Sequence, residues 1–369
     1  MERLDFVVKD RSMRPIGVVD LYNSALWTER FNEAGSFQLY MPVNTAYLEK
    51  LEIGNYMTLP DTEVVMIIES MQIESRIETG ERVILYEGSS LESILKRRIV
   101  WNKTYLTGLA DANIRKLLEE NIIFSTNSGR TPPRRIENFI YPASTDAELN
   151  AYIAQAGAIE CQFEGDNLYD AIKSICDAIG IGFRITVDSS KRFVFQLYMG
   201  TDRTISQVVD DPVIFSPEYD NLISSRYLVN YADYKNVALV AGEEENNARI
   251  TKTVYSGSAE PTGLDRREHY ANASDISQRQ NNGTTISRDD YLKLLQYRGA
   301  SELQENSAVS AFDGEVETKI GPAYGTNYFL GDYVSTMNEY GFGTTAQITE
   351  YTRSFDLQGY SAYPTFVMI

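Results

Sequence analysis

The chain of 369 residues contains one histidine, His269, and two cysteines, Cys161 and Cys176. So few ligating and nucleophilic side chains leave almost nothing for a zinc site, a catalytic triad or a disulfide framework. Basic residues are scarce relative to acidic ones, with 34 Lys and Arg against 52 Asp and Glu and a formal charge of −18. A sequence-independent hold on nucleic acid needs basic surface to neutralise phosphates, so DNA or RNA binding is disfavoured as a primary activity. No apolar run approaches the ~20 residues that span a bilayer. The opening Met1-Glu-Arg-Leu-Asp-Phe6 is broken by charge and does not read as a signal peptide. The chain is read as soluble and made in a cytoplasm.

What is present is core material. Hydrophobic residues make up 43% and aromatics 11%, enough to bury several cores, and the length implies about two to four domains. The first hundred residues read mainly as strands. Phe6-Val-Val8 and Ile16 to Leu21 flank a polar turn, and Phe37, Leu39 and Met41 alternate with Ser36, Gln38 and Tyr40. Further strands are expected at 66–73 and 82–86.

The texture changes near Ser89, where Ser89-Ser-Leu-Glu92 reads as a capping box before a short helix ending at Lys96-Arg-Arg98. Ile114, Leu117 and Leu118 follow the cap candidate Asp111. The clearest helix runs from Asn167 to Gly180, with Leu168, Ala171, Ile172, Ile175, Cys176 and Ile179 on one stripe and Gly180 at the C-cap. Cys176 lies on that stripe, so both cysteines are expected to be buried free thiols. A hairpin is expected next, with Phe183, Ile185 and Val187 answered by Phe193, Phe195 and Leu197 across Asp188-Ser-Ser-Lys191. Residues 91–204 thus form an α/β unit between β segments. Strands resume at 221–230, 236–241 and 248–255. A polar stretch over 256–285 reads as an exposed insertion, Ser287 caps a helix carrying Leu292, Leu295 and Leu303, and strands return from Ala308 through Glu317 and from Phe329 to Ile369.

Acidic pairs are the catalytic option that such a chain retains. Glu243-Glu-Glu245 and Asp210-Asp211 are read as solvated loop charges, and Asp313-Gly-Glu315 lacks a calcium-loop pattern. The basic clusters Lys96-Arg-Arg98 and Arg134-Arg135 either face an acidic partner or keep a helix end and a loop soluble. Tyrosine is abundant at 25 residues. Tyr324, Tyr328, Tyr340, Tyr351, Tyr360 and Tyr363 are candidates for subunit interfaces, with sugar stacking the competing role.

One internal similarity stands out. Leu51-Glu-Ile-Gly54-Asn-Tyr56 precedes a strand with Ile68-Glu69, a turn with Gly80 and another strand. Leu330-Gly331-Asp332-Tyr333 precedes a strand with Ile348-Thr-Glu350, a turn with Gly359 and a last segment. Two readings fit, a duplicated β-barrel or two unrelated hairpins that both enter through a glycine and an aromatic. Duplication would let three subunits present six equivalent modules around an axis.

Asn221-Leu-Ile-Ser-Ser-Arg226, followed by Tyr234-Lys-Asn236-Val-Ala238 and Val240-Ala-Gly242-Glu243, resembles the central strand block of bacteriophage tail hub proteins. These proteins, also called baseplate hub or tail-associated proteins, occur in phages and prophages of Gram-positive hosts. Three more pieces agree in order. They are Trp27-Thr-Glu-Arg30-Phe31 with Gly35-Ser-Phe37 and Pro42; Gly54-Asn-Tyr56 before Met66-Ile-Ile-Glu69; and Gly263-Leu-Asp265-Arg266-Arg267-Glu268 with Asp275-Ile276. Arg266 and Arg267, flanked by acids, are expected in local or intersubunit ion pairs.

The resemblance implies a mainly β (α+β) protein with two tube-like β-barrels. Residues 1–90 plus about 205–232 would form the first barrel, and 91–204 the α/β insertion. Residues 233–256 plus about 307–369 would form the second barrel, and 257–306 a loop-and-helix insertion. It implies a homotrimer with pseudo-sixfold symmetry at the virion tail tip, assembled in the host cytoplasm. Its partners would be the distal tail protein, the tail tube, the tape-measure protein and receptor-binding or spike proteins, with double-stranded DNA only in transit along an acidic, repelling wall. Family members often carry a C-terminal lytic or receptor-binding extension, and ending at Ile369 this chain would be the structural core. No catalytic residue, cofactor, metal or membrane segment is expected. The alternatives are a carbohydrate-binding or carbohydrate-active protein, and the hub of a contractile tail-like particle such as a bacteriocin or injection system.

Overall fold

Alternation of apolar and polar side chains sets the N-terminal strands. The computed structural model describes residues 4–76, 81–124, 132–280, 283–316, 321–341 and 343–368; Gly80 and Glu317 fall outside them. Strands β1 (Phe6–Lys9) and β2 (Pro15–Val19) pair across a turn in which Asp10 Oδ1 accepts the Ser12 and Arg14 N–H groups. Then come β3 (Ser24–Arg30), β4 (Ser36–Pro42), the one-turn helix α1 (Thr45–Leu48), β5 (Tyr56–Thr58), β6 (Val65–Arg76) and β7 (Glu81–Ser90). Phe37, Leu39 and Met41 are buried on one face of β4, as their alternation predicts, with Phe6, Trp27, Ile68 and Tyr86 in the same core.

The α/β insertion follows. The capping box expected at Ser89 is not formed: the segment Leu91–Arg97 is a 3-10 helix whose N-cap position is Ser90, with no side-chain cap hydrogen bond. β8 (Thr104–Gly108), α2 (Ala110–Leu118), β9 (Phe139–Ile140), α3 (Ala147–Ala156) and β10 (Ile159–Phe163) lead to α4 (Leu168–Ile179). Helix α4 has the expected ends, since Asn167 accepts the Tyr169 N–H and Gly180 takes φ +73°. The predicted hairpin is β11 (Gly182–Val187) and β12 (Phe193–Tyr198). Cys161 and Cys176 are buried free thiols in this core. Helix α2 has no side-chain cap, and its N-cap position is Leu109, not Asp111.

Two short strands, β13 (Asp202–Arg203) and β14 (Ile214–Phe215), return the chain to β15 (Leu222–Asn230). A separate unit comes next, built from β16 (Val237–Glu245), β17 (Ala248–Tyr255), β18 (Glu268–Asn272) and α5 (Arg288–Glu305). Its core is Val240, Ile250, Ala271, Ala273, Ile276, Tyr291, Leu294, Leu295 and Leu303. The chain closes with β19 (Val309–Val316), β20 (Tyr333–Met337), β21 (Gly343–Asp356) and β22 (Gly359–Met368).

Three expectations change. Apart from β16 and β17, the strands assigned to two barrels lie in one 14-stranded sheet of order β15-β19-β22-β21-β3-β4-β7-β6-β5-β1-β2, with β20 beside β21 and flanked by β13 and β14. Among the described residues the end strands of this path do not pair with each other, so no closed barrel is present. The joint is the β21·β3 ladder, because strand alternation fixes which face is buried and leaves open which edge is paired. Segment 222–230 hydrogen-bonds to β19, away from the N-terminal strands, and 237–255 forms its own sheet with 268–272. Part of the polar stretch 256–285 is built in, since β18 runs parallel to β16 and buries the small Ala271, with Ala273 buried just after it, and neither carries much hydrophobic signal. Among the described residues no helix is long and apolar enough to cross a membrane.

Candidate functional site

Strand β21 pairs with β3 from Glu350 opposite Arg30 to Phe355 opposite Ala25, which joins the N-terminal and C-terminal strand sets. On one face of this seam lie Trp27, Glu29, Tyr351 and Arg353, none more than 7% exposed. Glu29 Oε1 accepts from Trp27 Nε1 at 3.0 Å and from Arg353 Nη1 at 2.5 Å, and Oε2 accepts the Tyr324 hydroxyl at 3.2 Å. Tyr324 stacks on Tyr351 with ring centroids 3.8 Å apart, and the Arg353 guanidinium sits over both rings. A buried charge pair persists only when its remaining donors and acceptors are satisfied, and here the aromatic groups complete the set. On the opposite face Thr28 and Thr352 meet, Oγ1 to Oγ1, at 3.2 Å.

A cleft of about 640 Å³ opens beside the seam, between the sheet, β11–β12 and the 324–332 loop, with Glu29, Arg30, Glu92, Arg184, Asp332 and Arg353 among its lining. Asp332 accepts from Thr201 N–H and Arg203 Nε at 2.8 Å each and from Phe329 N–H at 3.0 Å. Glu92 accepts the Ile185 N–H at 2.6 Å and the Ser90 hydroxyl, and burial raises its pKa. Glycoside cleavage needs one carboxyl acid and one carboxylate facing a substrate. Here both oxygens of all three acids are committed to neighbouring groups, so the arrangement locks three segments together. Among the described residues no cluster of His, Cys, Asp and Glu could hold a metal.

The structure gathers six of the motif residues here. Trp27 is fully buried, and Arg30 bonds Glu350 and the Ala34 carbonyl. Phe31 packs edge-on against Tyr198. A Cβ on Gly331 would lie 2.3 Å from the Phe31 ring, and one on Gly35 would lie 2.5 Å from the Thr28 carbonyl oxygen. Asp332 completes the group.

The others lie elsewhere. Gly54 and Tyr56 enter β5. Asn221, beside β15, accepts the Ser216 N–H and donates to the Ile214 carbonyl. Asn236, Gly242 and 265–268 belong to the three-stranded unit. There Asn236 bonds Asp265 O and Arg267 N–H, and a Cβ on Gly242 would meet the Tyr291 hydroxyl at 2.2 Å. Arg266 forms the expected local ion pairs, with Glu260 and Glu268, whereas Arg267 bonds the Tyr231 carbonyl and lies over the Tyr234 ring. Of the tyrosines read as interface candidates, Tyr328 and Tyr351 are core residues and Tyr340 is exposed. The basic clusters are engaged locally, since Arg97 pairs with Glu69 and Arg134 stacks on Trp101. Sequence reasoning missed Glu29 and Arg353, which carry no local signal as single charges on strands 324 residues apart.

The two strand sets share details of geometry. Gly54 (φ +89°) donates its N–H to Ile68 O at 2.8 Å, and Ile68 N–H donates to Asn55 O at 2.9 Å. Gly331 (φ +90°) donates to Ile348 O at 2.7 Å, and Ile348 N–H donates to Asp332 O at 2.9 Å. Both ladders then shift register by one residue, between Ile68 and Ser70 and between Ile348 and Glu350.

A sequence model of the family described as Siphovirus ReqiPepy6 Gp37-like protein matches residues 6–366. The fold is similar to that of the tail protein from Neisseria meningitidis MC58, with 12% identity and a TM-score of 0.56 over 99% of this chain and 96% of that one. It is also similar to the 43 kDa tail protein of prophage MuSo2 from Shewanella oneidensis, with 14% identity and a TM-score of 0.55 over 99% and 98%. No curated protein sequence matches the chain. At such identities the likeness to the solved structures is one of fold.

Proposed function

The chain belongs to the Siphovirus ReqiPepy6 Gp37-like protein family, and from that premise we propose that it is a structural hub protein of a phage or prophage tail. In this reading three copies form a pseudo-sixfold ring at the tail tip. The ring caps the tail tube, meets the distal tail and tape-measure proteins, connects to receptor-binding or spike components, and opens for DNA passage. The role is assembly, not catalysis.

One observation carries the reading. The strand order β3-β4-β7-β6-β5 and the order β15-β19-β22-β21-β20 have the same antiparallel neighbours, the same glycine-to-isoleucine bonds at entry and the same ladder irregularity. That supports an internal duplication, and duplication is what lets a threefold assembly offer six alike contacts to a sixfold tube. The charge of −18 per copy supports a wall that repels passing DNA.

The test is sedimentation of the purified chain together with electron microscopy of the chain mixed with tail tubes. A mass of three chains and density capping tube ends is the expected result. A stable monomer that binds or cleaves a polysaccharide overturns it in favour of a carbohydrate-directed protein.

A further inference from the structure

We propose that β15 of one copy adds antiparallel to residues 70–76 of β6 in the next copy, with Leu228 opposite Gln72 and Arg226 opposite Glu74. The proposal deepens the ring reading above and rests on it.

The register follows from the pairings within one chain. Ile68 lies opposite Gly88, Gly88 opposite Phe37, and Phe37 opposite Trp27. In the C-terminal set Ile348 lies opposite Phe366, Phe366 opposite Phe312, and Phe312 opposite Tyr227. Ile68 therefore corresponds to Ile348 and Trp27 to Tyr227. The intrachain seam sets Thr352 opposite Thr28, Ser354 opposite Leu26, Tyr351 opposite Glu29 and Arg353 opposite Trp27. Transferred through the correspondence, these become Gln72 with Leu228, Glu74 with Arg226, Met71 with Val229 and Ile73 with Tyr227.

Three features of the surface agree with this transfer. Among the described residues both edges are open in a single copy, because β15 ends the sheet path and the β5 strand reaches only Val65–Ile67 of β6. Met71, Ile73, Tyr227 and Val229 correspond to the buried seam residues Tyr351, Arg353, Trp27 and Glu29, yet are 44–49% exposed in one copy. Four exposed apolar side chains on two open edges are a pairing surface that a soluble protein has reason to cover. Glu74 and Arg226 then face each other with opposite charge, whereas a one-residue slip would turn every side chain to the other face.

The experiment uses the full chain carrying Gln72→Cys and Leu228→Cys together. Its native cysteines are both buried and do not compete. The corresponding Thr28 and Thr352 side chains touch at 3.2 Å, so the pair lies within reach of a disulfide, which needs Cβ atoms about 4 Å apart. Oxidation is expected to give a covalently closed trimer on a non-reducing gel and by mass. Neither single variant should yield it, and Gln72→Cys with Arg226→Cys should link at least about tenfold less, because its Cβ atoms are displaced along the strand. As a second measure, Glu74→Arg and Arg226→Glu should each weaken assembly by about tenfold, and their combination should restore it.

A trimer that links preferentially through the shifted pair, or not at all, overturns the register and leaves the ring reading standing. Linked chains that lengthen without closing support the edge pairing and overturn the ring. A monomer with no linkage at any pair overturns both.

Discussion

Arg353 Nη1 donates to Glu29 Oε1 across the β21·β3 seam at 2.5 Å, and each side chain is 4% exposed. Removing one partner of such a pair strands the other charge away from water, at a cost of about 3–5 kcal/mol. Arg353→Met should lower the free energy of unfolding by that order, read as a fall in the urea midpoint. Adding Glu29→Gln should recover part of the loss, because the remaining group is neutral and still accepts from Trp27. Denaturation of the four-member cycle measures the coupling.

Gly54 and Gly331 share a left-handed backbone, but their surroundings differ. The nearest atoms to a Cβ on Gly54 would be those of the Arg11 guanidinium, 3.0 Å away at the end of a flexible chain. A Cβ on Gly331 would strike the Phe31 ring at 2.3 Å, and Phe31 is 3% exposed and also backed by Gly182. Alanine at either position carries the positive-φ penalty of about 1 kcal/mol. Gly331→Ala should add about 1–3 kcal/mol from overpacking. Thermal unfolding of the two variants compared with the parent should rank them in that order, and equal losses would mean that Phe31 can yield.

How far the sequence announces this fold depends on whether the signal is local. Helix α4 is legible to its ends because its stripe, Asn167 cap and Gly180 terminus all lie within one short stretch. The β11–β12 hairpin is legible for the same reason. The β18 strand is not, since Ala271 and Ala273 bury little area and sit in a polar stretch. Sheet order is the least legible feature, because Trp27 and Arg353 become neighbours only through an edge that alternation does not specify. Gly35 and Gly331, which pack beside the seam, are readable as motif residues, while the Glu29–Arg353 pair next to them is not.

Cys161 on β10 and Cys176 on α4 are both buried, and burial raises both thiol pKa values, so little thiolate exists near neutrality. Both should resist a thiol reagent in the folded protein and react in urea, with native labelling about a thousandfold slower or more. Labelling of Cys161 alone at low denaturant would reveal opening of the β8–β10 pair before the α4 core.

Glu92 offers a pH test with a definite sign. Burial raises its pKa, and the Ser90 hydroxyl and Ile185 N–H only partly oppose that rise. The folded protein therefore holds this proton to higher pH than the unfolded chain, whose carboxyl titrates near ~4.3. The stability contributed by Glu92 is fully present below that unfolded value and is lost as pH rises through the folded one. Glu92→Gln keeps the shape, leaves an oxygen for Ile185 N–H and an amide for Ser90 Oγ, and has no proton to lose. The variant's urea midpoint should therefore gain on the parent's as pH rises from the unfolded carboxyl's range through the folded one and level off above it, while Glu92→Ala should lose about 2–3 kcal/mol at acidic pH, where the parent keeps the proton. A midpoint difference between Glu92→Gln and the parent that stays constant over this range would mean that Glu92 is ionised in the fold, held by the Arg184 charge across the cleft.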